Sequence, residues 1–106
     1  MLEYAVKRTD VADSHIHKII LGIAEDFGAD VALEKLNELE EKIMLLGKNP
    51  YLGVDPRYML LKRQGYKVLI TDKNLVFYKI DEVNKEVTVY AVVDQRQDYL
   101  NIIRGL

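Results

Sequence analysis

The sequence predicts a two-layer α+β fold: an N-terminal strand, an antiparallel helix hairpin, a four-stranded antiparallel sheet and a short C-terminal helix. Two patterns lead to this prediction. Between residues 10 and 46, apolar residues recur every three or four positions, which is typical of amphipathic helices. Between residues 57 and 93, short runs rich in Val, Ile, Leu and Tyr are separated by turn residues, which is typical of strands.

The N-terminal strand is predicted from a simple alternation. Apolar Leu2, Tyr4 and Val6 are separated by Glu3 and by other residues that can face solvent. A period of two places the apolar side chains on one face of a strand. We therefore expect one buried face in this segment.

A first helix is expected from about Asp10 to Phe27. Thr9 or Asp10 would cap its N-terminus, because either side chain can accept a hydrogen bond from a free backbone N–H. Gly28 is expected to end the helix, since glycine readily adopts the conformation found after a helix C-terminus.

A second helix is expected from Ala29 or Asp30 to about Gly47, with Pro50 beyond its end. Its apolar seam is formed by Ala32, Leu36, Leu39, Ile43 and Leu46. The two helices should form a hairpin that covers one face of the sheet. A coiled coil with another chain is the less favoured alternative, because the seam is only two heptads long.

The predicted sheet follows a loop at residues 47–56. We expect a strand at Arg57–Arg63, then three consecutive antiparallel strands within residues 65–71, 74–81 and 87–93. Both alternate faces of the last strand are apolar, so it should be central and covered on both sides. A short helix is expected from about Gln97 to Ile103.

Composition indicates an ordinary globular domain. The 106 residues are enough for one core, with 49% hydrophobic and 30% charged residues. The absence of Cys excludes disulfides and thiolate metal sites and suits the cytoplasm, and no apolar run is long enough to span a membrane. Residues 1–56 carry six Lys/Arg against eleven Asp/Glu, whereas residues 57–106 carry nine against six. The sheet half is thus basic, which could orient an anionic partner toward it.

Three segments resemble the RelE/ParE superfamily of bacterial toxins, also called plasmid stabilisation proteins: Gly65–Ile70 (GYKVLI), Asn74–Asp81 (NLVFYKID) and Val92–Tyr99 (VVDQRQDY). Residues 4–9 and 49–53 extend the resemblance over nearly the whole chain, in the expected order. It implies one toxin domain over residues 1–106, the toxin of a type II toxin–antitoxin system, neutralised by a cognate antitoxin.

The leading activity that the resemblance implies is inhibition of translation by a ribosome-dependent mRNA endoribonuclease, with the ribosome and mRNA as partners. Two alternatives stay open. One is a ParE-like inhibitor that binds DNA gyrase and catalyses nothing. The other is a degenerate toxin that only binds its antitoxin. A homodimer is also an open alternative, and no membrane partner or cofactor is expected.

The resemblance implies catalytic roles for Lys67 and Arg96, and Tyr99 is a third catalytic candidate because of its residue type. Lys67 fits the first of two lysines that RelE-type RNases use, and Arg96 matches a basic residue that the family keeps after the last strand. Tyr99 is a candidate weak acid. Asp98 could orient Arg96, but we favour a role as the N-cap of the C-terminal helix, and Tyr99 could simply pack against the sheet.

The sequence departs from the RNase pattern at three places. Asn74 stands where RelE-type RNases carry an Arg, and Leu69 falls at or beside their second lysine. Asp98-Tyr99 stands where some members carry a His. Losing a donor that stabilises the transition state costs about 3 kcal/mol, so these departures weaken the expectation of efficient mRNA cleavage.

Other basic residues of the sheet half are candidates for binding RNA phosphates. These are Arg57, Lys62, Arg63 and Lys73. Tyr58, Tyr66 or Tyr99 could stack on a base. The alternative is that the cations only keep the sheet soluble. A metal site at His15 and His17 is not expected, because residues two apart point to different sides of a helix.

The apolar residues of the sheet exceed what one helix pair can cover. Two alternating sets compete for the covered face: Met59, Leu61, Leu69, Val76 and Tyr78 against Tyr58, Leu60, Val68, Leu75 and Phe77. One set should face outward unless the C-terminal helix or a second subunit covers it. We expect an antitoxin segment, disordered when free, to fold on that face or on the helix hairpin.

Overall fold

The computed structural model describes residues 3–106, so the expected strand residue Leu2 lies outside the described part. The strands are β1 (Ala5–Arg8), β2 (Lys67–Ile70), β3 (Asn74–Asp81) and β4 (Glu86–Asp94). The helices are α1 (Asp10–Phe27), α2 (Ala29–Met44), α3 (Met59–Arg63) and α4 (Leu100–Arg104), with short 3-10 turns at Leu45–Gly47 and Pro50–Leu52. The fold class is the expected α+β class.

The sheet has the order β1-β4-β3-β2. The three C-terminal strands are consecutive and antiparallel, as predicted, and β4 is an interior strand with neighbours on both sides. The sheet as a whole is mixed, because β1 pairs parallel with β4. The parallel pair is possible because the helix hairpin carries the chain from β1 back to the starting end of the sheet.

The expected strand at Arg57–Arg63 is wrong, because Met59–Arg63 forms α3. Leu, Met, Lys and Arg are all strong helix formers, so local propensity favours a helix here. Only Leu61 of the helix is fully buried, while Met59 and Leu60 are exposed. The segment therefore buries one residue of a single helical turn, and not every second residue as a strand would. The fourth strand of the sheet is β1.

The helix hairpin begins and ends where the sequence predicts. The Thr9 hydroxyl accepts the Ala12 N–H at 3.1 Å, which caps α1 at Asp10. Gly28 has a φ of 94°, a conformation that separates the two helices without the strain a side chain would bring. The predicted boundaries of α1 are confirmed, and α2 ends at Met44 before a 3-10 turn reaches Gly47.

Both faces of the sheet are buried. We call one the hairpin face, on which α1 and α2 pack; its buried strand residues are Leu69, Val76, Tyr78, Val87, Val89 and Val92. We call the other the second face; its buried strand residues are Val68, Phe77, Ala91 and Val93, packed against Leu61 of α3 and Ile103 of α4. The predicted exposed apolar face is therefore absent, since the two short helices cover it.

Candidate functional site

Lys67 opens β2 and contacts the loop that precedes α3. Its Nζ lies 3.3 Å from Asp55 Oδ1, and Lys62 Nζ lies 3.4 Å from Asp55 Oδ2. The two lysines thus share one carboxylate, and they hold the pKa of Asp55 below its usual range. The ammonium of Lys67 also lies 5.7 Å from the centre of the Tyr51 ring. Lys67 is therefore tied to its own loop on two sides.

Arg96 lies beyond the end of β4 and pairs with a residue of the same segment. Its Nε and Nη2 each lie 3.1 Å from one of the two Asp94 carboxylate oxygens, and its backbone N–H donates to Asp94 Oδ1 at 2.8 Å. Arg96 holds the pKa of Asp94 below its usual range. The guanidinium is still 90% exposed. An exposed pair of this kind is weak and can open to a partner.

Tyr99 packs on the second face. Its ring centre is 5.0 Å from that of Phe77 and 5.6 Å from that of Tyr58, and burial raises the pKa of its hydroxyl. Tyr99 thus packs against the sheet, which is one of the two alternatives that the sequence leaves open for it. The predicted capping role of Asp98 is wrong: α4 begins at Leu100, three residues later than expected, and its N-cap is Tyr99 with no side-chain capping bond.

The late start of α4 has a local cause in the segment that follows β4. The Asp94 N–H donates to Gln97 Oε1 at 3.0 Å, and the Gln97 N–H donates to the Asp94 carbonyl at 3.1 Å. Gln95 donates from Nε2 to the Thr71 carbonyl at 2.6 Å. These bonds hold residues 94–97 in a turn, so that the helix cannot begin there.

The three residues expected to be catalytic do not converge. Lys67 pairs across the sheet with Tyr78, whereas Asp94, next to Arg96, pairs with Asn74. Three strand residues lie between these two positions along β3, which are about 13 Å apart. Tyr99 contacts Phe77, which points to the opposite face from Tyr78. The three residues therefore lie at different positions along the sheet and on both of its faces.

The four predicted phosphate-binding residues lie at four different places. Lys62 joins Lys67 at Asp55. Lys73 joins Arg96 on the rim of a groove of about 530 Å³ between the hairpin and the β2–β3 turn. Arg57 lies 5.7 Å from the centre of the Tyr58 ring, near Tyr99. The fourth candidate, Arg63, ends α3 and is exposed. Their role in binding phosphate stays a prediction.

Asn74 has a structural role at the place where the RNase pattern carries Arg. Its Nδ2 donates to the Val93 carbonyl at 3.4 Å, and its own N–H and carbonyl bond to the Thr71 hydroxyl at 3.2 and 3.1 Å. These contacts close the turn between β2 and β3. Asn74 thus stabilises the end of the sheet by hydrogen bonds and provides no positive charge at this position.

Sequence reasoning missed a lysine held by two tyrosine rings. Lys79 Nζ lies 4.5 Å from the Tyr66 ring centre and 5.0 Å from that of Tyr90. A bulge between Phe77 and Tyr78 pairs Phe77 with Ala91 and Tyr78 with Val89, so Tyr90 is the extra residue of β4. The bulge lets Tyr90 join Ala91 on the second face. No pattern in the sequence reveals this change of alternation.

The two histidines belong to no group of three or more His, Asp or Glu side chains, within residues 3–106, that could hold a metal ion. His15 instead accepts the Val92 N–H on Nδ1 at 3.2 Å, and burial together with the nearby Lys18 lowers its pKa. His17 is exposed. No helix in the described part of the chain is long and apolar enough to cross a membrane.

The mixed sheet, the hairpin on one face and the short C-terminal helix define the class of RelE/ParE-like folds. The sequence profile described as "ParE toxin of type II toxin-antitoxin system, parDE" matches residues 6–99, so the chain belongs to this family. It is a toxin of the type II toxin–antitoxin class within the RelE/ParE superfamily. A search of curated protein sequences finds no significant match.

Two solved structures share the fold. One is the toxin–antitoxin complex RelBE2 from Mycobacterium tuberculosis, with 21% identity and a TM-score of 0.66, covering 92% of this chain and 97% of that chain. The other is the chromosomal ParDE system from P. aeruginosa, with 15% identity and a TM-score of 0.72, covering 87% of this chain and 96% of that chain. At these identities the likeness establishes the fold, and the resemblance inferred from sequence is confirmed.

Proposed function

We propose that this toxin acts by binding its target without cleaving RNA, and that the target is DNA gyrase, as the resemblance to ParE implies. The observation that carries the proposal is the dispersion of Lys67, Arg96 and Tyr99. A catalytic site needs its proton donor and its charge-stabilising groups within about 3 Å of the same reacting atoms. Residues separated by about 13 Å along the sheet and by its thickness do not meet that need.

The state of Lys67 supports the same proposal. A group that stabilises a developing phosphorane must be free to face it, whereas Lys67 is held by Asp55, which Lys62 also contacts. Asn74 supplies hydrogen bonds to the sheet where RelE-type RNases carry an arginine. The match to the ParE family over residues 6–99 favours the gyrase alternative over the ribosome. The earlier expectation of an mRNA endoribonuclease stays a prediction.

Induction of the gene without its antitoxin separates the candidate functions. We expect growth arrest with an SOS response, because a blocked gyrase leaves DNA breaks, and intact mRNA in the same cells. Rapid mRNA cleavage without an SOS response would overturn the proposal and favour the ribosome-dependent endoribonuclease. Normal growth at verified soluble expression would favour a degenerate toxin that only binds its antitoxin.

A further inference from the structure

The outer edge of β2 is covered at one residue only. The Val54 N–H donates to the Val68 carbonyl at 2.9 Å, and the Val68 N–H donates to the Val54 carbonyl at 2.8 Å. Peptide groups of a strand point alternately to one neighbour and the other, so Ile70, two residues on, also points outward. Among residues 3–106, no hydrogen bond to the Ile70 N–H or carbonyl comes from the outer side. A short stretch of free edge remains there.

Gly53 explains why the chain leaves this edge open. Its N–H donates to the Tyr78 hydroxyl at 3.0 Å, and that hydroxyl donates to the Pro50 carbonyl at 2.6 Å. A Cβ on Gly53 would stand 2.6 Å from both the Tyr78 hydroxyl and the Val68 carbonyl oxygen. The loop is thus drawn in toward Tyr78, and Pro50–Leu52 coils into a 3-10 turn. It cannot continue as a strand beside Ile70.

The space beside the free edge is an apolar depression of about 330 Å³. Four half-exposed side chains line it: Ile70 (59% exposed), Val54 (51%), Leu45 (50%) and Leu52 (44%). Apolar side chains grouped around an unpaired strand edge are a ready template for another chain. Lys42 is the one charged residue in this lining, and it forms no ion pair with a carboxylate of residues 3–106.

We propose that this surface, the free edge at Ile70 with its apolar depression, binds an extended segment of the cognate antitoxin by strand addition. Main-chain bonds to Ile70 would fix the segment, and its alternate apolar side chains would fill the depression. A carboxylate of the antitoxin would face Lys42. The proposal rests on the toxin–antitoxin function and adds to it the place and the chemistry of recognition.

A second copy of this chain fits the same surface less well. A two-fold dimer uses the same patch on both subunits, so it would bring two Lys42 side chains, each without a carboxylate, into one interface. Like charges at an interface disfavour association. Lys42 therefore favours a partner that carries negative charge.

The test is calorimetry of purified toxin with the antitoxin encoded beside its gene. Ile70→Pro removes the outward N–H and puts a ring in its place, while all bonds between β2 and β3 remain, because proline is tolerated on the open side of an edge strand. We expect Kd to rise at least about tenfold for Ile70→Pro and by less than about threefold for Ile70→Val, which keeps the N–H. Lys42→Gln should weaken binding and reduce its dependence on salt.

Further variants test the same surface without changing the backbone of β2. Leu45→Ser and Val54→Ser change exposed side chains of the depression and should each weaken binding even if Ile70→Pro does not fold. Val83→Ser, at a turn residue that is 90% exposed, should bind as wild type. Wild-type affinity in the Ile70→Pro, Leu45→Ser and Val54→Ser variants would overturn the proposal, as would the absence of antitoxin binding by the wild type. Gyrase inhibition is measured separately, so a failure there leaves the binding result standing.

Discussion

The two faces of the sheet are buried by different means. The hairpin face is covered by helices of 18 and 16 residues, each with a continuous apolar seam. The second face is covered by two helices of five residues, each with one fully buried residue, Leu61 in α3 and Ile103 in α4. Isolated helices of five residues are not stable in water, so α3 and α4 exist only because the second face holds them. The two faces should therefore respond differently to the same mutation.

The largest expected effect compares one isoleucine on each face. Ile43 of α2 and Ile103 of α4 are both fully buried, so Ile→Ala removes the same atoms. We expect a loss of about 4 kcal/mol in the free energy of unfolding for Ile43→Ala, because a long helix fixed in the hairpin cannot collapse into the cavity. For Ile103→Ala we expect about 2 kcal/mol, because the short α4 can shift. Urea denaturation measures both.

Amide hydrogen exchange compares the local stability of the helices on the two faces. Ile103→Ala should accelerate exchange of the α4 amides while leaving those of α1 close to wild type, since local opening involves the least stable element first. Equal losses of stability, with exchange accelerated throughout the molecule, would mean that the two faces form one cooperative unit without a weaker side.

Substitutions at two glycines test the close contact of Gly53 with Tyr78 and Val68, which holds the loop beside β2. Gly53→Ala should destabilise the protein by about 2 kcal/mol, because its Cβ would meet the Tyr78 hydroxyl and the Val68 carbonyl oxygen at 2.6 Å. Gly22→Ala in α1 is the matched control. No atom lies within 4 Å of that Cβ, and alanine should stabilise the helix by up to about 1 kcal/mol. Thermal melting of both variants checks the prediction, and a neutral Gly53→Ala would contradict the packing described at Tyr78.

The smallest expected effect is a pH dependence at the junction of α1 and β4. The folded protein lowers the pKa of His15, whose Nδ1 accepts the Val92 N–H. Above pH about 6.5 the side chain is neutral in both states and its contribution is complete. As the pH falls below this value, the unfolded chain takes up the proton first, so stability declines until the pH passes the folded pKa.

Denaturation at pH 7.5 and at pH 5.5 isolates this effect, because carboxylates such as Asp94 lose their contribution only nearer pH 4. His15→Gln should reduce the difference between the two pH values, while His17→Gln, at an exposed position, should retain it. An unchanged difference in His15→Gln would assign the pH dependence to other groups.

The two faces also differ in how far the sequence predicts them. Long seams of apolar residues predict α1 and α2 closely, and alternation with turn residues predicts β2, β3 and β4. The residues of Met59–Arg63 favour a helix by propensity, but the segment is too short for propensity alone to establish one, and the burial of Leu61 beneath the second face stabilises the single turn. The start of α4 depends on the local turn bonds between Asp94 and Gln97 and on one long-range bond, from Gln95 to the Thr71 carbonyl, which no sequence pattern reveals.

The candidate site shows the same limit. The resemblance to the family singles out Lys67 and Arg96, and its residue type singles out Tyr99. The distances between the three depend on strand register and on the face that each residue takes, which the sequence does not reveal. Asp55, the partner of Lys67, lies outside the motifs that carry the resemblance. Asp94, the partner of Arg96, lies within one of them, but nothing in the motif marks it as an ion-pair partner. The Tyr90 bulge reverses the alternation from which faces are predicted.

We propose that the toxin inhibits DNA gyrase without using Lys67, Arg96 and Tyr99 as a catalytic site, and supercoiling tests this proposal most directly. The direct measurement is supercoiling of relaxed plasmid by purified gyrase, with wild-type toxin and with a variant that combines Lys67→Ala, Arg96→Ala and Tyr99→Phe. We expect half-inhibitory concentrations that agree within about threefold, because ion pairs near the surface contribute little to stability and the variant keeps the Tyr99 ring. No inhibition by the wild type, together with cleavage of ribosome-bound mRNA that the combined variant loses, would contradict it.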